Sequence, residues 1–183
     1  MNLSFENYRS QFLSTYKLID FEVINKICDI LSKVVDSQNT IFAFGNGGST
    51  AIANHFACDF SKGSNYNKKI RYISLSNSSE LITAISNDID FDQVFSFQLD
   101  RLLNKDDVVI AISSSGNSKN IINGLLKSRD LGIFTISLTG FDGGKAKDLS
   151  DLNLNISSNN YGIIEDCHSS IMHFLSQKLH TNE

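Results

Sequence analysis

The chain has 183 residues, 41% hydrophobic and 20% charged, with a formal net charge of −4 and a pI of about 5.5. This composition fits one globular domain with a sizeable core. The acidic balance, with Lys68-Lys69 the densest basic pair, argues against nucleic acid or an anionic membrane as partner. No apolar stretch nears the ~20 residues that span a bilayer. The opening MNLSFENYRS lacks the apolar centre of a secretory signal, so a cytoplasmic protein is expected. Cys28, Cys58 and Cys167 make an odd, widely spaced set, which reads as free thiols in a reducing compartment.

Residues 5–35 read as a helical arm. Phe5, Tyr8, Phe12 and Tyr16 recur at helical spacing. Ile24, Ile27, Cys28, Leu31 and Val35 do so again after Asp20, a candidate N-cap. This apolar surface packs either on another subunit or over the chain's own sheet. Strands and helices then alternate. Residues 40–44 (TIFAF), 71–75 (RYISL), 108–112 (VVIAI), 133–138 (IFTISL) and 152–156 are the strand candidates. The 108–112 run is apolar throughout, as in a strand buried on both faces, and 152–156 alternates, as near an edge. Residues 49–62, 78–86, 91–103, 118–131 and 162–179 are the helix candidates, with Gly132 ending the fourth. This alternation predicts βαβ units and a mostly parallel α/β sheet.

Two of the strands run into similar loops. Phe44-Gly45-Asn46-Gly47-Gly48-Ser49-Thr50 follows the first, and Ser113-Ser114-Ser115-Gly116-Asn117-Ser118 follows the third. Each opens a helix. Glycine lets the backbone come close, hydroxyls donate, and the helix start offers unpaired N–H groups and a positive dipole end. The pair therefore suits a phosphorylated ligand with many hydroxyls, bound beyond the carboxyl ends of the strands. Neither loop is a Walker A sequence. The dinucleotide fingerprint fails as well, since Thr50 stands three residues after Gly47.

Carboxylates and imidazoles form a second constellation. His55 and Asp59, four residues apart on one helix, share a face and can hold one metal or act as a pair. Glu165, Asp166, His168 and His173 crowd the last helix. For any one of these histidines the alternative is an ordinary surface or core residue.

Taken in order, GNGGST with His55-Phe56 four residues on, Asn87-Asp88, ISSSGNS and SLTGFDGG resemble the sugar isomerase (SIS) domain family, and within it the phosphoheptose isomerases. The likeness runs from about residue 5 to 180. It implies a flavodoxin-like, doubly wound parallel sheet of five strands. One SIS domain would fill residues 1–183, with a helical arm over 1–36 and the α/β core over 40–180. It implies an isomerase that converts sedoheptulose 7-phosphate to D-glycero-D-manno-heptose 7-phosphate, in heptose supply for lipopolysaccharide, capsule or other surface glycans. It further implies a homotetramer with sites between subunits, and one zinc ion per site.

Carried over by position, the resemblance assigns Ser113, Ser114, Ser115 and Ser118 to the phosphate. Asn46, Gly47, Gly48, Ser49, Asp88 and Glu165 would contact the substrate. His55, Asp59, Glu165 and His173 would hold the metal, and Asp59, His173 and Glu165 would carry the proton transfers. Three positions depart from the family. Asp59 replaces a glutamate, Glu165 replaces a glutamine, and Gly162 stands where the family has an aspartate. Glu165 and His173 are eight residues apart, about 12 Å of helical rise. Either that helix is broken near its start, or the two serve through different subunits. His168 is the rival ligand within one chain. Two other readings stay open: an SIS isomerase for a different phosphosugar, and a non-catalytic SIS scaffold that binds sugar phosphates or proteins.

Overall fold

The computed structural model describes residues 4–62 and 69–181, so Lys68 of the basic pair lies outside it. The arm is two helices, α1 (Phe5–Tyr16) and α2 (Phe21–Asp36). Asp20 caps α2 as expected. Its carboxylate accepts from the N–H groups of Glu22 at 2.9 Å and Val23 at 3.2 Å, two donors that a helix start leaves unpaired. One face of α2 buries Ile24, Ile27, Cys28, Leu31, Val34 and Val35, the stripe expected of a helix laid on a core. α1 buries no residue, and Phe5 and Leu13 stand exposed on it.

The remaining elements are β1 (Thr40–Gly45), α3 (Gly48–Ser61), β2 (Arg71–Ser74), α4 (Ser79–Asp88), α5 (Ser96–Leu102), β3 (Val108–Ser113), α6 (Lys119–Asp130), β4 (Phe134–Gly140), α7 (Gly144–Leu149), β5 (Leu152–Ile156) and α8 (Tyr161–His180). The five strands form one parallel sheet in the order β2-β1-β3-β4-β5. This is the doubly wound order expected from the sequence. Helices cover both faces, so β1 and β3 are buried at every residue and can be apolar throughout. One core layer, with Ile27, Leu31, Phe56 and Leu175, lies between the sheet and α2, α3 and α8. The other gathers Phe44, Phe95, Leu99 and Leu125, with Phe44 and Phe95 stacked 4.7 Å apart. Among the described residues no helix is long and apolar enough to cross a membrane.

One local expectation needs correction, and one helix has no counterpart among the candidates. Residues 91–103 are not one helix but a 3-10 turn, Phe91–Gln93, followed by α5. Asp90 starts that turn by accepting from the Asp92 N–H at 2.8 Å. Ser96 then bonds back to the Gln93 side chain at 2.7 Å, a local alternative to the helical ladder. The short α7 has no local signal, because two glycines open it. A tertiary bond starts it, from the Ala146 N–H to the Gly116 carbonyl at 2.9 Å. By contrast Gly132 ends α6 as expected, at φ +70°.

The edge strand β5 is fastened by its side chains. Asn153 Nδ2 donates to Ser137 Oγ and Thr139 Oγ1, each at 2.8 Å. Thr139 Oγ1 donates to Asn155 Oδ1 at 2.9 Å. Just before β5, Asp151 accepts from the N–H and hydroxyl of Thr135, both at 2.8 Å. Thr135, Ser137 and Thr139 are fully buried, and this ladder supplies the partners that burial demands.

Candidate active site

The strand order reverses between β1 and β3, which opens a crevice at their carboxyl ends. These strands lie side by side and finish together, Gly45 beside Ile112. The two hydroxyl loops therefore meet. A reciprocal amide pair joins them: Asn46 Nδ2 donates to Asn120 Oδ1 at 2.8 Å, and Asn120 Nδ2 donates to Asn46 Oδ1 at 3.0 Å. Asn120 is almost wholly buried and also accepts from the Ile121 N–H. Sequence reasoning missed Asn120. Its partner is 74 residues away, and no local pattern marks it.

Between the loops lies a cavity of ≈ 180 Å³. Asn46 and Ser49 line it from the first loop, Ser113, Ser114, Ser115 and Ser118 from the second, and Tyr161 and Glu165 from α8. Neither Gly47 nor Ser118 caps its own helix with a side chain, so both helix starts keep N–H groups and dipole for an anion. Ser114 is 5% exposed and its Oγ has no hydrogen-bond partner among the described residues. Leaving such a group unpaired costs about 1–3 kcal/mol. A phosphoryl oxygen would accept that bond. Gly116 makes the loop possible: its φ is +63°, and a Cβ there would collide with the Gly143 carbonyl.

Glu165 closes the other side of this cavity. Its carboxylate lies over the first turn of α3, so close that a Cβ on Gly48 would run into it. Burial raises the Glu165 pKa, and the charge of Asp166 adds to the shift. A carboxyl held toward its protonated form is suited to proton transfer near neutral pH. Asp166 itself accepts from the Tyr8 hydroxyl of the arm at 2.6 Å. That hydroxyl leans over Gly162, where a Cβ would lie 3.2 Å from it.

Farther along α3 and α8 a second group converges. His55 Nε2 and His173 Nε2 approach the same Asp59 Oδ2, at 3.3 and 3.7 Å. The two imidazoles meet edge-on, centroids 5.2 Å apart, and Phe56 packs on His173 at 5.1 Å. One donor atom from each residue lies within 4.8 Å of the other two. A tetrahedral ion with bonds of about 2 Å sets its donors about 3.3–3.4 Å apart, so the trio fits a divalent cation. Asp59 and His173 also face a cavity of ≈ 370 Å³ with Cys58, Lys62 and His180.

The other expected residues lie elsewhere. α8 is one unbroken helix, which removes the alternative of a break near its start. Glu165 thus stands about 12 Å from His173 along the axis, in the serine-lined cavity and outside the trio. Asp88 is exposed at the end of α4, where it accepts from Asn87 Nδ2 at 2.8 Å, and it lines neither cavity. His168, the rival ligand, is a core residue. It is fully buried, its Nε2–H donates to the Thr139 carbonyl at 3.0 Å, and burial pushes its pKa down to about 4.

Comparison with known proteins agrees with this fold. Residues 4–140 match the family described as the SIS domain. A phosphoheptose isomerase of Helicobacter pylori (strain P12) is 40% identical over 155 residues, covering 84% of this chain and 81% of that protein. One from Aliarcobacter butzleri is 40% identical over 157 residues, 85% of this chain and 83% of the relative. Among solved structures, a phosphoheptose isomerase from Neisseria gonorrhoeae superposes with a TM-score of 0.88 at 28% identity, covering 95% of both chains. Another from Francisella tularensis gives 0.89 at 27% identity, covering 96% of this chain and 93% of that one.

Proposed function

The chain belongs to the SIS domain family, and from that premise we propose that it is an aldose–ketose isomerase converting sedoheptulose 7-phosphate to D-glycero-D-manno-heptose 7-phosphate. The named relatives support the reaction. One observation carries the reading to this chain's own residues. The anion cradle, whose serine loop opens α6 and holds the buried Ser114 hydroxyl with no partner among the described residues, is also lined by α3 and α8, and those two helices carry the His55–Asp59–His173 trio.

In this reading Ser113, Ser114, Ser115 and Ser118 hold the phosphate, with Asn46, Gly47, Gly48 and Ser49 beside it. Asp88, which lines neither cavity of its own chain, would contact the substrate of another copy from the end of α4. The isomerisation moves a proton from C1 to C2 through an enediol. A carboxylate, Asp59 or Glu165, takes the C1 proton and returns it at C2. His173 gives a proton to O2 and receives the one leaving O1. His55, Asp59 and His173 would hold a zinc ion, with Glu165 of another copy completing the set. That ion would supply a Lewis acid that polarises the carbonyl. The product would feed cytoplasmic heptose supply for surface glycans.

The deciding measurement is turnover of sedoheptulose 7-phosphate by the purified protein, followed by NMR at C1 and C2, with and without chelator. The expected result is aldose formation that stops with chelator and returns with zinc. No turnover would overturn the reading. A different phosphosugar is the second reading, favoured by Asp59, Glu165 and Gly162, the three positions at which the resemblance to the family departs. A panel of phosphosugars in the same assay would reveal it.

We further infer a homotetramer with shared sites. Two features support it. Phe5, Leu13, Leu18, Phe21 and Phe174 expose apolar surface of the kind that marks contact sites. The unbroken α8 also holds Glu165 away from His173. Glu165→Ala and His173→Ala proteins, each inactive alone, should regain activity when unfolded together and refolded as a mixture. If a site takes Glu165 from one copy and His173 from another, about a quarter of randomly mixed sites are intact. A mixture as inactive as its parts would exclude shared sites.

A further inference from the structure

The lip of the serine-lined cavity carries a side chain that the proposed reaction leaves unused. Tyr161, the first residue of α8, lines that cavity and also a neighbouring cleft of ≈ 420 Å³ walled by Ser115, Asn117, Asp142 and Asn159. It is 56% exposed, yet it has a firm backing. Phe141 meets its ring edge-on, with centroids 4.9 Å apart and planes at 64°.

Phe141 is itself held in the left-handed region, at φ +51°. Bulky residues rarely adopt that conformation, and it persists only where the surroundings enforce it. Here they do. The Phe141 N–H donates to the Ser158 carbonyl at 3.1 Å, and its own carbonyl accepts from Asn155 Nδ2 at 3.2 Å. One residue earlier, the Gly140 N–H donates to the Ser114 carbonyl at 2.8 Å. The strained turn is therefore tied to the cradle on one side and sets the Tyr161 ring on the other. Gly162, next in the chain, adds no side chain at this lip.

We propose that Tyr161 is a specificity-determining residue, its ring the platform for the C–H face of the phosphosugar's carbon chain while the serines hold the phosphate. A polyhydroxylated chain presents C–H groups that a rigid aromatic surface takes by burial and dispersion. The hydroxyls remain free for Asn46 and Ser49. The ring carries this role and the phenolic hydroxyl does not. The proposal rests on the phosphosugar reading above, but its test does not require turnover.

The test is calorimetric titration of wild type, Tyr161→Ala and Tyr161→Phe with two probes. Sorbitol 6-phosphate has the chain and the phosphate but no carbonyl to react. Inorganic phosphate reaches the serines alone. Loss of the ring should weaken sorbitol 6-phosphate about tenfold and leave inorganic phosphate unchanged, and Tyr161→Phe should match wild type for both. In the enzyme assay the alanine variant should raise KM about tenfold with kcat within about threefold. Equal affinity of wild type and Tyr161→Ala for sorbitol 6-phosphate would overturn the proposal. An equal loss for both probes would overturn it too, since the ring would then only shape the cradle. Failure of wild type to turn over sedoheptulose 7-phosphate would count against the reaction and leave the titrations to decide the role of the ring.

Discussion

Replacing His173 by alanine is expected to lower kcat for sedoheptulose 7-phosphate by about a thousandfold or more. Two losses combine. The imidazole is the group that would exchange protons with O1 and O2, a function worth about 10²–10⁴ in rate. It is also one of three donors around a single point, 3.7 Å from Asp59 Oδ2. Zinc content should therefore fall along with kcat. The fold should survive, because the His173 side chain is 46% exposed and leaves no sealed cavity. Steady-state kinetics, metal analysis and thermal unfolding of the variant decide this together. A kcat within tenfold of wild type would remove His173 from the reaction. His55→Ala separates the two losses, since His55 belongs to the proposed metal trio but has no assigned proton transfer.

Ser114→Ala should change binding and stability in opposite directions. Without ligand, the Ser114 hydroxyl is buried and has no hydrogen-bond partner among the described residues. Deleting it removes an unmet desolvation penalty, so the unliganded protein should gain up to about 1 kcal/mol against urea. In the proposed phosphate complex, the same hydroxyl would donate to a charged oxygen, one of the stronger kinds of hydrogen bond. KM should then rise about thirtyfold. Adding phosphate should stabilise wild type by mass action and stabilise the variant less. An unliganded variant that is clearly destabilised would mean that Ser114 serves the fold and not the ligand.

Much of this could be read from local pattern. The strands were legible because β1 and β3 are buried on both faces and so carry unbroken apolar runs. The two loops were legible because glycine and serine cluster where each strand gives way to a helix. His55 and Asp59 were legible as a pair because four residues make one helical turn. What failed was non-local. The Asn46–Asn120 bond joins residues with no common motif. α7 forms because Gly116 offers it a carbonyl. Residues 91–103 read as one helix because their apolar spacing is helical, while Asp90 and Ser96 bond their own neighbours instead. His168 looked like a ligand in a crowd of carboxylates, but its helix turns it inward to the Thr139 carbonyl. The separation of Glu165 from His173 follows from eight residues of straight helix and could be calculated beforehand. The continuity of the helix could not.

The side-chain ladder on β5 has a consequence for the site's alignment. A strand that slips by one residue turns every side chain to the opposite face. In β5 such a slip would remove Asn153 and Asn155 from the hydroxyls of β4 and push Leu154 and Ile156 out of the core. Polar and apolar sides thus enforce the same register, at a sheet edge where pairing on only one side would otherwise leave it loosely specified. Four residues beyond β5, Asn160 caps α8 through the N–H groups of Gly162 and Ile163. A shift of one residue in β5 would carry a rise of about 3.3 Å into that junction, and so to Tyr161 and Glu165 at the cradle. The edge strand lines neither cavity, yet it sets the phase of the helix that lines both.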